Sequence, residues 1–189
     1  EMKTVAIYII IFFGKLFGPI FYQSRYLKGH WFDLKDPVMG WQGWLWVIQG
    51  IWFQKILGFN RGLKAPIIPS TRLNSLQNLL MHPDQLDALQ SPGCYFQNPE
   101  SHIKIGRGTI IGPNVSIITR NHDLEDFNQY APSEPVEIGK KCWVGANSVI
   151  LPGVNLSDGV IVAAGSVVTK SFDGSCVIGG NPAKVIKQL

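Results

Sequence analysis

The sequence predicts a mainly β protein, a solenoid of short strands that follows an apolar helical segment. An aliphatic residue recurs at every sixth position in the last third of the chain. The aromatic residues gather in the first third, where five of the six Trp and seven of the ten Phe precede residue 65. With 189 residues, 46% hydrophobic and 16% charged, the chain can bury a core and is not disordered. We therefore divide it into a segment, residues 1–64, and a domain, residues 65–189.

Charge follows the same division. Residues 1–64 carry eight basic and three acidic side chains, a balance of +5, whereas residues 65–189 carry nine and ten, a balance of −1. The basic side chains of the first segment are diluted among large apolar ones, so nucleic acid is not an expected partner. The three cysteines are too scattered for a disulfide framework, which favours a reducing compartment.

Two apolar runs make up most of the first segment: residues 5–21, interrupted by Gly14–Lys15 and Gly18–Pro19, and residues 41–59, which hold four Trp. The first run falls short of the roughly 20 apolar residues that a spanning helix needs. No small-x-small site of a removable leader follows it. Trp together with basic residues is typical of helices at a membrane surface, so we expect monotopic attachment. Packing on the domain or on another subunit is the alternative. The basic residues that would face anionic lipid are Lys15, Arg25, Lys28, Lys55, Arg61 and Lys64.

The period of six defines the domain. An α-helix repeats its apolar positions at three and four, so a period of six indicates short strands joined by tight turns and stacked as a solenoid. Each coil has three flat faces, so nine hexads make about three coils. A loop inserted at about residues 119–135 interrupts the array. The aliphatic positions are Ile105, Ile111, Ile117, Ile138, Val144, Ile150, Leu156, Val162 and Val168.

Five stretches carry the pattern of one family: Pro92–Asn98, Ile118–Asp123, Ile138–Val154, Ala164–Lys170 and Gly180–Lys184. They resemble the hexapeptide-repeat acetyltransferases. Within that family they are most similar to the sugar O-acetyltransferases, both the maltose and galactoside enzymes and the O-antigen or capsule branch. The resemblance implies a left-handed parallel β-helix, a homotrimer, and acetyl-CoA bound between adjacent subunits.

Acyl transfer from a thioester to a hydroxyl needs a base for the hydroxyl and donors for the developing oxyanion. His122 lies at the start of the inserted loop, and imidazole is the side chain that most readily accepts a proton near neutral pH. Position alone fits either a base or a solvated loop histidine, whereas the resemblance implies the catalytic base. Asp123, Glu125 or Asp126 would support the ring, and the sequence does not choose among them.

The resemblance also implies where acetyl-CoA binds. The Ala146 backbone N–H would bond the thioester carbonyl, and the small residues Gly145 and Ala146 permit close approach. Ala163 and Ala164 hold the matching place one coil later and would line the pantetheine channel. Trp143 either walls this channel or fills the core. The polyanionic nucleotide end would meet Thr169, Lys170, Pro182 and Lys184.

A pyranose has an apolar face and a polar edge, which aromatic and amide side chains suit. A core position is the alternative for Tyr95 and Phe96. The resemblance implies that Asn114 hydrogen-bonds sugar hydroxyls. The other expected sugar-facing residues are Tyr95, Phe96, Gln97, Asn98 and Asp123.

No metal is expected, because His82, His102 and His122 lack the spacing of a zinc site. Cys142 occupies an inward-facing position and is not an expected nucleophile. We therefore expect an acetyl-CoA-dependent O-acetyltransferase on the cytoplasmic face of the bacterial inner membrane, acting on a surface-polysaccharide sugar that is free or lipid-linked. The alternatives are another acceptor (a nucleotide-amino sugar, serine or an antibiotic) and a non-catalytic scaffold.

Overall fold

The computed structural model describes residues 2–36 and 38–189. Contacts divide the chain into two compact units, a first unit that ends at Pro69 and a second unit, Ser70–Leu189. The boundary lies a few residues later than the expected residue 64, because Lys64 and Ile67 hydrogen-bond to earlier residues of the first unit. The Gln23 N–H donates to the Lys64 carbonyl at 2.9 Å, and the Ile67 N–H donates to Gln54 Oε1 at 3.2 Å.

The first unit is helical, and its first helix is longer than the sequence analysis expected. The stretch Thr4–Phe21 has a mean hydropathy of 2.0 and is long and apolar enough to cross a membrane by length and composition. The expectation of a shorter run is therefore wrong. Pro19 lies close to the helix end, and the helix tolerates the loss of its N–H there. The elements are α1 (Met2–Phe21), 3₁₀ turns at Ser24–Tyr26 and His30–Phe32, α2 (Gln42–Gly50) and a π-helical turn at Ile51–Ile56.

Helices α1 and α2 pack in parallel through glycines. A Cβ on Gly14 would lie 2.9 Å from the Trp44 ring, and one on Gly18 would lie 3.2 Å from Val47 Cγ1. Both contacts advance in the same direction along the two helices, so the intervening segment must return along α1 before α2 begins. Glycine allows this close approach because it has no side chain.

The second unit is a solenoid of three sheets. Neighbouring strands pair in parallel except β13 and β14, which are antiparallel. The strands are β1 (Arg72–Leu73), β2 (Leu79–Met81), β3 (Tyr95–Gln97), β4 (Ile103–Ile105), β5 (Ile110–Ile111), β6 (Ser116–Ile118), β7 (Val136–Ile138), β8 (Trp143–Val144), β9 (Val149–Ile150), β10 (Asn155–Leu156), β11 (Ile161–Val162), β12 (Val167–Val168), β13 (Cys176–Gly180) and β14 (Ala183–Gln188). Sheet 1 has the order β1-β3-β6-β9-β12, sheet 2 has β2-β4-β7-β10, and sheet 3 has β5-β8-β11-β13-β14.

The aliphatic positions of the six-residue period form the core, as predicted. All nine are at most 6% exposed. The array begins earlier than the period indicated, because Leu73, Leu79 and Phe96 are buried in the strands that precede Ile105. A 3₁₀ segment, Pro83–Gln90, lies between β2 and β3. Sheet 1 therefore stacks five strands, and the prediction of about three coils is too low.

Two corners of the solenoid concern the site. The "loop corner", between sheets 1 and 2, contains residues 119–135 and 169–171. The "amide corner", between sheets 3 and 1, contains residues 112–115, 145–148 and 163–166. A chain that winds from sheet 1 to 2 to 3 passes the two corners at opposite ends of sheet 1.

The outer faces of the sheets differ in polarity. On sheet 2, Lys104 and Glu137 form an ion pair with Nζ and Oε2 at 2.9 Å. On sheet 3, Ile110, Trp143 and Ile161 pair in register and point outward, and the first two are 56% and 53% exposed. Sheet 1 presents half-buried side chains that are mostly apolar: Tyr95, Ser116, Val149 and Val167.

Candidate active site

His122 stands exposed on the loop corner in a defined orientation. Its Nδ1 lies 2.9 Å from the Phe127 carbonyl oxygen. A carbonyl oxygen only accepts hydrogen bonds, so Nδ1 carries a proton, and the tautomer that this contact selects for the neutral ring presents Nε2 as an acceptor. An antiparallel bridge between His122 and Tyr130 holds the backbone on both sides of the loop. The arrangement presents a proton acceptor to the outside of the solenoid.

Two side chains that the sequence analysis missed support this histidine. The Tyr130 ring lies against the His122 ring, with centroids 4.6 Å apart. The Arg120 guanidinium lies 3.7 Å from the Tyr130 centroid and forms an ion pair with Glu100. Arg120 precedes His122 by two residues, a spacing that places both side chains on one face of an extended strand and was the available signal.

The acidic residues of the loop are engaged in its turns. Asp123 Oδ1 accepts from the Glu125 N–H at 2.8 Å and the Asp126 N–H at 3.1 Å, which lowers the pKa of Asp123. Asp126 Oδ1 accepts from the Asn128 N–H at 2.9 Å. The partner of His122 Nδ1 is thus a backbone carbonyl, whereas the sequence analysis considered only the carboxylates.

The base of the loop is anchored to the strand beneath it. Gln97 Oε1 accepts from the Thr119 N–H at 3.1 Å and the Arg120 N–H at 3.0 Å, and Gln97 Nε2 donates to the Arg120 carbonyl at 2.9 Å. The Glu134 N–H donates to the Thr119 carbonyl at 2.8 Å, which closes the loop. The Gln97 amide therefore positions the loop, in place of the expected sugar contact.

Two more predicted sugar contacts, Phe96 and Asn98, lie elsewhere than expected. Phe96 is fully buried in the core, because the strand alternation points it inward between Leu73 and Ile117. Asn98 is also fully buried, and its amide bonds the Ser75 backbone. These two residues are corrected to structural roles. Tyr95 points outward and half-buried from sheet 1.

Asn114 lies on the amide corner, in the left-handed region at φ 56°. Its Nδ2 donates to Oδ1 of Asn147, the equivalent residue one coil later, at 3.1 Å. Asn147 also has a positive φ of 60°. Asparagine is one of the few residues that tolerate this conformation, so both residues serve the turn geometry. Asn114 remains exposed.

The amide corner presents backbone donors. The Gly145 N–H donates to the Val162 carbonyl and the Ala163 N–H to the Ile178 carbonyl, both at 2.8 Å, so these two are bonded within the coil stack. Within residues 2–36 and 38–189, the N–H groups of Ala146 and Ala164 have no acceptor. Unpaired N–H groups on a rigid turn are suited to bind an oxygen of a ligand.

Small residues keep these donors accessible. A Cβ on Gly145 would lie 2.6 Å from the Ala164 nitrogen, so the coils stack closer than a side chain would allow. Trp143, which the sequence analysis placed either in the core or in a channel wall, is exposed on the adjoining strand. The corner thus joins two free donors to an exposed aromatic wall.

The predicted phosphate contacts are divided between the corners. Thr169 and Lys170 are exposed on the loop corner, two coils from His122. Pro182 lies in the turn between β13 and β14, and Lys184 is exposed on β14, paired with Gly179. A Cβ on Gly179 would meet Ala163 Cβ at 3.0 Å, which sets this turn beside the amide corner.

The thiols and metal ligands give no second site. Burial raises the pKa of the Cys142 thiol, and burial likewise raises that of Cys94. Among the residues that the structure describes, no group of three or more His, Cys, Asp or Glu could hold a metal ion.

The comparisons with known proteins agree with the repeat. The family model described as "Hexapeptide repeat of succinyl-transferase" matches residues 135–170. The resemblance to the hexapeptide-repeat acetyltransferases is thereby confirmed, and residues 135–170 of the second unit are its hexapeptide repeat.

Particular relatives are acetyltransferases. A putative acetyltransferase of Dictyostelium discoideum is 42% identical over 90 residues, which are 46% of this chain and 47% of that protein. The putative lipopolysaccharide biosynthesis O-acetyl transferase WbbJ of Escherichia coli (strain K12) is 37% identical over 98 residues, covering 46% and 50%. The crystal structure of a maltose O-acetyltransferase from Clostridium difficile 630 is 34% identical, with a TM-score of 0.49 and coverage of 59% and 56%. The chain spans about half the length of the curated relatives that it matches.

Proposed function

We propose that this chain is an acetyl-CoA-dependent O-acetyltransferase that acetylates a hydroxyl of a bacterial surface-polysaccharide sugar. The observation that carries the proposal is the Nδ1–Phe127 hydrogen bond of 2.9 Å, which leaves Nε2 of the exposed His122 as a proton acceptor. The names of the relatives, acetyltransferases and an O-acetyl transferase of lipopolysaccharide biosynthesis, support the reaction class and the acceptor class.

In the proposed mechanism His122 Nε2 takes the proton of the acceptor hydroxyl as its oxygen attacks the thioester carbonyl carbon. The Ala146 N–H, and the Ala164 N–H nearby, hold the thioester and the oxyanion that forms on it. Collapse of the tetrahedral intermediate breaks the carbon–sulfur bond. The leaving thiolate takes the proton from the imidazolium, so the products are the acetyl ester and CoA. Free His122 is restored without a covalent enzyme intermediate.

The proposed site lies between copies of the chain. His122 occupies the loop corner and Ala146 the amide corner, at opposite ends of sheet 1. The two groups meet at one substrate if the loop corner of one chain faces the amide corner of the next. The exposed apolar loop residues Leu124 and Phe127 (90% and 73% exposed) and the apolar outer face of sheet 3 support such a contact. We propose a homotrimer of left-handed solenoids, in which Lys170 of one copy and Lys184 of its neighbour approach the phosphates of acetyl-CoA.

We place the enzyme on the cytoplasmic face of the inner membrane, where acetyl-CoA is available. A lipid-linked saccharide is the acceptor that this location favours, because the first unit carries a long apolar helix. Asp123 and Tyr95 remain the proposed acceptor contacts beside His122.

The test measures CoA thiol released from acetyl-CoA, with and without host lipid-linked glycans, by wild type, His122→Ala and His102→Ala. His102 is a matched control, because it is a partly exposed histidine that contacts Glu137 on sheet 2. We expect glycan-dependent release that His122→Ala lowers about 10²- to 10⁴-fold and His102→Ala leaves unchanged. An equal loss of CoA release in both variants would contradict the role of His122 as the general base. Activity on amino sugars alone would show an N-acetyltransferase, and the absence of an acetyl-CoA thermal shift would show a scaffold.

A further inference from the structure

The outward side of α1 is an unbroken apolar surface. Its large side chains are between 39% and 68% exposed. They are spaced alternately by three and one, which at about 100° per residue confines them to one half of the helix. Gly14 and Gly18 lie on the opposite half, against α2. The exposed residues are Val5, Tyr8, Ile9, Phe12, Phe13, Leu16, Phe17 and Ile20.

Helix α1 is long and apolar enough to cross a membrane, but the segment that packs beside it is too polar for a spanning orientation. A cavity of about 370 Å³ is lined by the N-terminal half of α1, from Thr4 to Ile11, and by Leu34, Asp36 and Trp41. The segment between the helices therefore lies alongside α1 rather than beyond its end. Asp36 Oδ1 accepts from the Val38 and Met39 N–H groups at 2.9 and 3.0 Å, which lowers the pKa of Asp36.

A spanning orientation would carry this polar segment into the hydrocarbon with α1. An ionised carboxylate and an irregular backbone are both unfavourable there. An orientation parallel to the surface avoids this conflict, because only the outer half of α1 then enters the acyl chains. The surroundings of α1 therefore differ in polarity between the two sides of the helix, and not between its two ends.

The charges of the first unit fit the same orientation. Lys15 lies at the edge of the apolar half, where its stem can extend towards the headgroups. Lys28, Lys35 and Lys64 are exposed as well. Eight basic side chains outnumber three acidic ones over residues 1–64, so the unit carries a net positive charge. Positive charge beside an apolar surface suits anionic lipid.

We infer that the first unit lies in the plane of an anionic membrane surface, with the outer half of α1 in the acyl-chain region and the segment around Asp36 on the water side. The occupant of the apolar surface is the bilayer. The inference is independent of the proposed acetyl transfer, because it rests on the first unit alone.

A depth profile tests the orientation. The full chain, labelled with a fluorophore at Val5→Cys, Phe12→Cys or Ile20→Cys, is bound to vesicles of phosphatidylcholine and phosphatidylglycerol, and quenching by lipids brominated at known depths is measured. Wild type, whose cysteines are buried, is the blank. Val5 and Ile20 are about 22 Å apart along the helix. An in-plane helix gives the three labels the same depth within a few ångströms. A profile with Phe12 deepest and both ends shallow would overturn the inference in favour of a span.

Vesicle flotation tests the occupant. The pair Phe12→Ser and Leu16→Ser is expected to lower partitioning at least about tenfold, because two exposed apolar side chains leave the acyl region. The matched pair Leu80→Ser and Leu189→Ser removes comparably exposed apolar side chains from the second unit and is expected to change nothing. Removal of phosphatidylglycerol or addition of salt should weaken binding. No binding to vesicles of either composition, or equal loss in both pairs, would overturn the inference and leave a protein partner as the occupant.

Discussion

The loop corner and the amide corner use different parts of the chain. At the loop corner a side chain, His122, is held by the Phe127 carbonyl and by the rings and charges around it. At the amide corner the backbone itself is presented, and side chains matter by being small. The comparison teaches that the loop corner depends on the chemistry of one side chain, whereas the amide corner depends on backbone groups and on the absence of bulky side chains beside them.

The largest expected effect tests whether the two corners act across copies. His122→Ala and Ala146→Phe each remove one half of every proposed site, so each variant alone should be inactive. Co-expressed in equal amounts, random mixing restores a wild-type loop corner facing a wild-type amide corner in about one quarter of the sites. CoA release by the mixed oligomer, against each variant purified alone, is the measurement.

A mixture that stays inactive would contradict a shared site and would require both corners of one chain to serve one substrate. Mixing His122→Ala with Phe127→Ala is the control. Phe127→Ala keeps the carbonyl that His122 bonds, and both changes lie on the loop corner. This control mixture should show only the activity of the Phe127→Ala chains, diluted by the inactive His122→Ala chains.

The second effect concerns stability at the amide corner. Gly145→Ala would set a Cβ 2.6 Å from the Ala164 nitrogen and 2.8 Å from the Val162 carbonyl oxygen, both backbone atoms of the next coil. We expect a loss of about 1–3 kcal/mol in the free energy of unfolding, measured by denaturant titration. Leu80→Ala, at a 46% exposed position on sheet 2 away from both corners, should lose less than about 0.5 kcal/mol. Equal stability of Gly145→Ala and wild type would contradict this expectation, because it would show that the neighbouring coils move apart to admit a methyl group without loss of stability.

The third effect concerns the cations of the two corners. Lys170→Ala and Lys184→Ala should each raise the KM for acetyl-CoA by about 3- to 10-fold and leave kcat nearly unchanged, because each removes a proposed phosphate contact distant from the reacting atoms. Lys140→Ala, an exposed lysine on neither corner, is the control. An effect on only one of the two lysines would limit the phosphate site to a single corner.

The smallest effect lies on sheet 2, away from both corners. Hydrogen bonds from Lys104 and then from His102 lower the pKa of Glu137. A lowered pKa contributes stability above the ordinary value of 4.5 and loses it as the pH falls through the lowered value. Glu137→Gln should therefore destabilise by less than about 1 kcal/mol at neutral pH, and the difference should vanish in acid. Thermal unfolding across pH checks this, and a difference that grew in acid would contradict the sign.

The core of the solenoid could be predicted from the sequence because its aliphatic residues recur strictly at every sixth position. Leu156 and Val162 are hits of the period and are buried. Phe96 followed no hexad, and only the strand alternation seen in three dimensions sends it inward. The earlier strands went unpredicted for the same reason, since an irregular connection between sheets removes the period without removing the coil.

The site was predictable in its parts more than in its arrangement. His122 and Ala146 were named from motifs, and the structure gives the first an oriented ring and the second a free N–H. The Phe127 carbonyl could not be foreseen, because every residue has a carbonyl and only the folded loop selects one. Tyr130 lies beyond the turn of the loop, at a separation that no local pattern encodes.

The closure of the inserted loop has a consequence for how such a protein changes over time. Thr119 accepts from the Glu134 N–H at 2.8 Å, and β7 resumes its pairing with β4 immediately afterwards. The solenoid therefore continues as though the intervening residues were not there. The length and composition of the residues inside this closure can therefore change during evolution or by design while the frame folds as before.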